Sequence, residues 1–375
     1  MNTTSLLRPG VNLRRGADRR QTRIGWLHGR HSFDTGVDPL GADTHHGVLV
    51  VSNHDQRGPD LGDACLPEPG SIHLALQENS MSPSDPAPGA DVPARQMSTF
   101  PLGRRRVKRS GYGAMQLAGP WAVNAPPDRA SAIGVLRAAV AAGIDHIDTA
   151  QYYGPDVVND LIREALYPYP GELAIVSKVG VFRDTGRDAR QLREGIEDNL
   201  RSLRVGQLAA VNLRLPSPGR PDARFDDQLA AMVQARDEGL IAGVGLSNVS
   251  LEQLRHAADR TEIVCVQNLF HLADRGSAPV LAECIRRGIA FVPFCPLGLP
   301  RGAANPVLTS PAVIQTAARL DATPPQVALQ WLLHLAPSVL LIPGTGSAAH
   351  LRENLAAEHL ALDDQALGEL ASVGA

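Results

Sequence analysis

The chain has 375 residues, of which 43% are apolar and 20% charged, and its formal net charge is −3. That length accommodates one large domain or two small ones, and so even a balance of charge gives no reason to expect nucleic acid or an acidic membrane surface as partner. Aromatic residues make up only 4%, which argues against a stacking platform for single-stranded nucleic acid, and no apolar run approaches the ~20 residues that a membrane helix needs.

Residues 1–96 are rich in Pro, Gly, Asp, Arg and His and lack a sustained apolar period. The stretch from Ser80 to Ala90 holds too little apolar surface to order itself. Val48-Leu49-Val50-Val51 is too short, and lies too far in, for a signal-peptide core. The early arginines Arg14, Arg15, Arg19 and Arg20 are diluted by Asp18 and later acids. The segment is expected to be a disordered N-terminal extension. Met97 stands where ordered sequence begins, so a start-site artefact is left open. Four cysteines, Cys65, Cys265, Cys284 and Cys295, match no zinc or redox spacing. They fit a reducing, cytoplasmic setting.

From residue 97 to 375 short apolar runs alternate with amphipathic stretches. Candidate strands end near Met115, Asp148, Ser177, Arg214, Leu246, Gln267, Phe294 and Ile342. Helical periodicity covers 128–142, 189–203, 222–238, 250–258, 276–287, 311–320, 324–335 and 347–357. Pro324 and Pro325 mark a helix start, and Gly143, Gly239 and Gly288 mark stops. Strict alternation predicts a parallel sheet. Eight units in this length suit an α/β fold of the closed (β/α)₈, or TIM, barrel type. A doubly wound sheet is the alternative, but no G-x-G-x-x-G follows a first strand.

In such a barrel the C-terminal strand ends hold the chemistry. Here they are polar: Asp148, Lys178, Asn212 with Arg214, Ser247-Asn248 and Gln267-Asn268, then Phe294, then Gly344-Thr345-Gly346-Ser347. Convergence on one rim makes a pocket. A free tyrosine is a poor acid at neutral pH, and an adjacent ammonium favours its phenolate. A carboxylate keeps that ammonium charged. Asp148, Lys178 and Tyr153 therefore make a relay in which Tyr153 protonates a developing alkoxide; a plain buried ion pair with a rim aromatic is the other reading.

An alkoxide requires an incoming hydride. Ser247, Asn248 and Gln267 offer groups for a carboxamide such as that of nicotinamide, and Phe294 offers a face for its ring. Alternatively, Ser247-Asn248 caps the 250–258 helix, and Phe294 packs in the core. Gly344, Thr345 and Ser347, ahead of the helix with His350, suit an anion at a helix N-terminus, or form an ordinary loop. Arg104-Arg105-Arg106-Val107-Lys108-Arg109 reads as a solvated hairpin. Cys295 reads as a packing residue. His271 and His350 are candidates for ligand contact, without metal spacing.

The motifs resemble the aldo-keto reductase family over residues 98–375. The matches are Gly111-Tyr112-Gly113-Ala114-Met115, Ile147-Asp148-Thr149-Ala150 with Tyr153-Gly154, Ser177-Lys178, Gly245-Leu246-Ser247-Asn248, Val266-Gln267-Asn268, Pro296-Leu297-Gly298 and Arg352-Glu353-Asn354. Longer strings, among them Arg163-Glu164-Ala165-Leu166-Tyr167-Pro168-Tyr169 and Leu341-Ile342-Pro343-Gly344-Thr345, resemble the bacterial pyridoxal reductase branch. The resemblance implies NADPH extended across the C-terminal rim and Tyr153 as acid, tuned by Lys178 and Asp148. It implies that Ser247, Asn248 and Gln267 hold the nicotinamide amide and that Phe294 stacks. It also places Pro296, Leu297, Gly344, Thr345, Ser347, His350 and Asn354 in cofactor-binding segments.

Two departures stand out. Arg214 occupies the place where many members have a carbonyl-orienting histidine. Gly344 and His350 replace the lysine and arginine of the 2′-phosphate subsite. The expected activity is reduction of a small aldehyde, pyridoxal to pyridoxine above others, by a monomer or small homo-oligomer. A broad-specificity aldehyde or ketone reductase, an NADPH-binding redox-sensing subunit with little turnover, and a lyase with a Lys178 Schiff base are the alternatives.

Overall fold

The computed structural model describes residues 98–374, apart from 120, 121, 123, 155, 156, 181–187 and 300–304. The extension expected at 1–96 lies outside the described residues. A two-stranded antiparallel hairpin comes first, β1 (Thr99–Leu102) with β2 (Arg105–Lys108), turning at Gly103 with φ of 60°. Seven parallel strands follow in sequential order: β3 (Tyr112–Gly113), β4 (His146–Asp148), β5 (Ala174–Gly180), β6 (Ala210–Arg214), β7 (Val244–Ser247), β8 (Ile263–Leu269) and β9 (Ala290–Phe294).

The eighth strand is reduced to two parallel bridges, Phe291 with Val339 and Ser110 with Leu341. The Leu340 N–H donates to Phe291 O at 2.9 Å, and the Gly111 N–H donates to Leu341 O at 2.8 Å. These bonds join the last strand of the sheet to the first, so the expected barrel closes. At this seam the backbones touch. A Cβ on Gly113 would lie 2.3 Å from Ile342 O, and one on Gly344 would lie 2.5 Å from Gly113 O. The first strand is consequently shorter than expected: Met115 falls in a 3₁₀ turn over Ala114–Ala118 instead.

Helices alternate with the strands: α1 (Arg129–Ala141), α2 (Val157–Leu166), α3 (Ala189–Leu203), α4 (Ala223–Asp237), α5 (Leu251–Ala258) and α6 (Ala278–Arg287). Beyond β9 come α7 (Pro311–Arg319), α8 (Pro324–Leu335), α9 (Ala348–Ala356) and α10 (Asp364–Ala371). Side chains fix the starts. Asp188, Ser250 and Thr323 each form a reciprocal capping box with the glutamine three residues on, which satisfies two otherwise unpaired N–H groups per helix. Two helices, α2 and α10, are absent from the sequence reading. The pattern of α2 is nonetheless present, because Val158, Leu161, Ile162 and Leu166 form its buried face.

The hairpin is only partly solvated. Leu102 and Val107 pack with Ala174, Ala210 and Ala290, the first residues of β5, β6 and β9, so it plugs the N-terminal mouth of the barrel. Arg104, Arg105 and Arg106 are exposed as expected. Arg109 is not. Its guanidinium donates to the carbonyls of Leu333, Ala336 and Val339 at 2.5, 2.6 and 3.1 Å, satisfying orphan acceptors at the end of α8. On the outer face, buried Glu283 bonds to Arg255, Arg286 and Arg287.

Two stability outcomes follow from these contacts. Gly113→Ala forces a Cβ onto backbone rather than a movable side chain, and overpacking of this kind costs about 1–3 kcal/mol; a thermal melt at neutral pH reads it as a lower Tm. The guanidinium hydrogen bonds hold the Glu283 carboxyl down at about 2. Its contribution is therefore full above the ordinary carboxylate range and disappears as pH falls through about 2. The Tm gap between wild type and Glu283→Gln is expected to be wide at pH 7 and to shrink as the solution is acidified toward that value.

Candidate active site

Asp148 is the last residue of β4, and Lys178 lies two residues before the end of β5, which runs on to Gly180. Both side chains are buried, at 5% and 3% exposure. The Lys178 ammonium donates to Asp148 Oδ1 and, at 3.1 Å, to the Thr149 carbonyl. The second carboxylate oxygen, Oδ2, accepts from Gln267 Nε2 at 2.9 Å. Each charge thus has the partners that burial demands. Lys178 Nζ also lies 5.1 Å from the centre of the Tyr153 ring. The three residues singled out in the sequence are brought together, with Gln267 as a fourth.

The acidity of Tyr153 differs from expectation. Burial pushes its hydroxyl well above the ordinary phenol range, Asp148 and Cys295 push the same way, and Arg214 opposes them. Burial of the phenol outweighs the one cation that opposes it. Tyr153 therefore holds its proton at neutral pH.

Arg214 ends β6 and is half-buried. Its guanidinium carbon lies 5.1 Å from the centre of the Phe294 ring, and Nη1 donates to Ser247 Oγ at 3.0 Å. One face of Phe294 is thereby occupied by a cation. Ser247 is fully buried. The helix cap expected of Ser247-Asn248 belongs to Ser250. Asn248 has a left-handed backbone with φ of 59°, and its Nδ2 donates to the carbonyls of Leu215 and Pro216. Its amide nitrogen is committed to the loop after β6.

Pro296 is buried, and Leu297 packs against the core while its carbonyl accepts from Asn305. Beyond the closing seam, Tyr112 donates to Thr345 O at 2.5 Å. Thr345 Oγ1 accepts from the Ser347 N–H at 3.0 Å, and Ser347 caps α9 through the His350 N–H. His350 is exposed and Asn354 is buried. His271 Nδ1 accepts from Ala273 N and closes a turn.

Sequence reasoning missed three contributors. Asn159 on α2 accepts from Thr149 Oγ1 and donates to Asn199 on α3, and Asn199 also accepts from Ser177 Oγ. All four are fully buried, so the network pins the residues flanking Asp148 and Lys178 to the helices behind them. Asparagine on the apolar face of each helix was the available signal. The third is Tyr152, edge-on to Tyr153 at 5.4 Å. Its hydroxyl lies in the fields of Lys178, Arg214, Asp148 and Tyr153, and burial raises its pKa.

Comparison with known proteins now decides the family. Residues 110–375 match the model for the aldo/keto reductase family. The chain belongs to that family. It is 46% identical over 284 residues to pyridoxine 4-dehydrogenase of Escherichia coli, spanning 73% of this chain and 97% of the relative. An uncharacterized oxidoreductase of Schizosaccharomyces pombe is 36% identical over 78% of this chain and 94% of its own length. Among solved structures, an aldo-keto reductase from Klebsiella pneumoniae in complex with NADPH superposes with a TM-score of 0.63 at 26% identity, covering 73% of this chain and 94% of that one. As a member of that family the protein is an oxidoreductase. Among its described residues no helix is long and apolar enough to cross a membrane.

The paired ammonium carries an expected consequence for this reductase. Asp148→Asn leaves Lys178 without its counter-charge, and breaking a buried pair by removing one partner is strongly destabilising, by about 3–5 kcal/mol. The prediction is a loss of activity together with a lowered Tm, with near-native far-UV circular dichroism at room temperature; a variant that melts and turns over like wild type would contradict it.

Proposed function

We propose that this aldo-keto reductase reduces an aldehyde to a primary alcohol with NADPH, with pyridoxal to pyridoxine as the best single substrate pair and Tyr153 as proton donor. The observation that carries the reading is the buried Asp148–Lys178 pair set against Tyr153 at the C-terminal mouth of the barrel. Similarity to the E. coli pyridoxine 4-dehydrogenase supports the substrate, and similarity to the Klebsiella protein in complex with NADPH supports the cofactor.

The residues present fit a nicotinamide. A carboxamide offers one acceptor and two donors. Ser247 accepts from Arg214, which leaves its hydroxyl hydrogen to donate. Gln267 gives its Nε2 to Asp148, which leaves Oε1 to accept. The committed amide of Asn248 likewise leaves its Oδ1. The leftover set is complementary to the carboxamide. For the phosphates, Gly346 has open space around it and precedes the N-terminus of α9, where backbone N–H groups favour anions. Thr345, Ser347, His350 and Arg352 complete that subsite. Pro296, Leu297 and Asn354 shape the adjoining groove. A lysine at 344 has no room without displacing Gly113, so the phosphate is held without it.

When bound, NADPH supplies the hydride to the carbonyl carbon. Tyr153, protonated at neutral pH, gives its proton to the oxygen. Even a phenol of raised pKa is a stronger acid than an alcohol, so the transfer is downhill. Arg214, the cation that opposes the rise of the Tyr153 pKa, stabilises the phenolate left behind. Lys178 is a poor candidate for a Schiff base, because an ammonium paired with Asp148 has no lone pair to attack a carbonyl.

Tyr153→Phe is expected to lower kcat by about 10²–10⁴-fold while NADPH binding, followed by fluorescence, stays near wild type. Tyr152→Phe keeps measurable turnover. Full turnover in Tyr153→Phe, or loss confined to Tyr152→Phe, would move the acid to the other ring.

A further inference from the structure

Two cations flank Tyr153, and they are neutralised differently. Lys178 is matched by Asp148. Arg214 has no carboxylate partner among the described residues; its one hydrogen bond goes to the neutral hydroxyl of Ser247. Other half-buried arginines are better supplied: Arg109 and Arg275 each reach three backbone carbonyls. Arg214 is held from two sides, by Ser247 and by the Phe294 ring, so its guanidinium plane is fixed. Among the described residues no acceptor takes its remaining N–H groups, which lie beside the acid that protonates the substrate oxygen.

A rigid, charged and under-used donor fork is suited to two oxygens, at least one of them anionic. One oxygen is the carbonyl of the aldehyde. We propose that the second is an ionised ring hydroxyl adjacent to that carbonyl, and that Arg214 is the residue by which this enzyme selects aryl aldehydes bearing an ortho phenolate. The proposal rests on the reductase reading and names the substrate class of the same site. The chemistry supports it twice. The oxygens of an ortho-hydroxy aldehyde lie in one plane and match the paired N–H groups of a guanidinium. An unpaired ortho phenolate also pushes electron density into the carbonyl and slows hydride attack, and the cation withdraws that density. Pyridoxal, whose ring hydroxyl neighbours its aldehyde, belongs to the class.

The test uses the full chain with NADPH and three aldehydes: 2-hydroxybenzaldehyde, 2-methoxybenzaldehyde and benzaldehyde. The expected result for wild type is a kcat/KM for the hydroxy compound about 10- to 100-fold above that for the methoxy compound, the usual effect of a charge-assisted hydrogen bond. This preference grows as pH rises through ionisation of the phenol. Arg214→Gln slows all three aldehydes, because the Tyr153 phenolate loses its cation, and in addition removes most of the preference; Arg214→Lys restores part of it. A wild-type enzyme indifferent to the hydroxyl, or an Arg214→Gln variant slowed equally on all three, would overturn the assignment while leaving the reductase reading intact. Absence of turnover with every aldehyde in wild type would overturn both.

Discussion

A lysine ammonium and an aspartate carboxylate buried side by side at the mouth of a barrel set the terms for everything around them. Removing two charges from water costs several kcal/mol per ion, and their attraction repays this only when every remaining donor and acceptor is matched. Here the matching is close to complete. The carboxylate receives Lys178 on one oxygen and Gln267 on the other, and the ammonium also reaches the Thr149 carbonyl. A pair of this kind adds little to stability compared with apolar packing. Its value lies in holding Asp148, Lys178 and Gln267 in fixed positions beside Tyr153.

Holding the pair requires more than the two residues. Thr149 and Ser177 each neighbour one partner in sequence, and both bond into the buried asparagines of α2 and α3. Any rotation of β4 against β5 would break these bonds inside the protein, with no water to replace them. The closing seam acts at longer range. Gly113 stands opposite Asp148 in the β3–β4 ladder and against Ile342 on its other side. Glycine lets the last strand approach closely enough to complete the barrel and so fixes where Asp148 sits.

The sequence made the barrel legible because its signals are local. Apolar periodicity, with Gly143, Gly239 and Gly288 that end it, bounds the preceding helices within a residue or two, and apolar runs that stop at Asp148, Lys178 or Ser247 announce strand ends. What escaped was set by distant partners. Arg109 looks like one more surface charge in a basic run, yet its acceptors lie 224 to 230 residues away. The eighth strand, expected to end near Ile342, survives only as bridges at Val339 and Leu341. Asn159 and Asn199 sit on helix faces that read as apolar, and nothing near them in the chain says what they meet. The site was legible as a set of residue types, but not as a set of commitments. That Asn248 spends its amide on a loop, or that Phe294 is covered by Arg214, follows only from the folded geometry.

The acidity of Tyr153 turns on the same distinction. From sequence, an adjacent lysine implies a lowered phenol pKa. In the fold that lysine is already neutralised, and burial dominates in the other direction. A phenol that keeps its proton is still able to give it to an alkoxide, and it wastes none to solvent while no substrate is present. On the proposed mechanism, the group that stabilises the resulting phenolate is then the cation with no carboxylate partner among the described residues. Of the two beside the ring, only Arg214 answers that description. On that reading, the drier the phenol, the more the site needs a positive charge of this kind within reach of it.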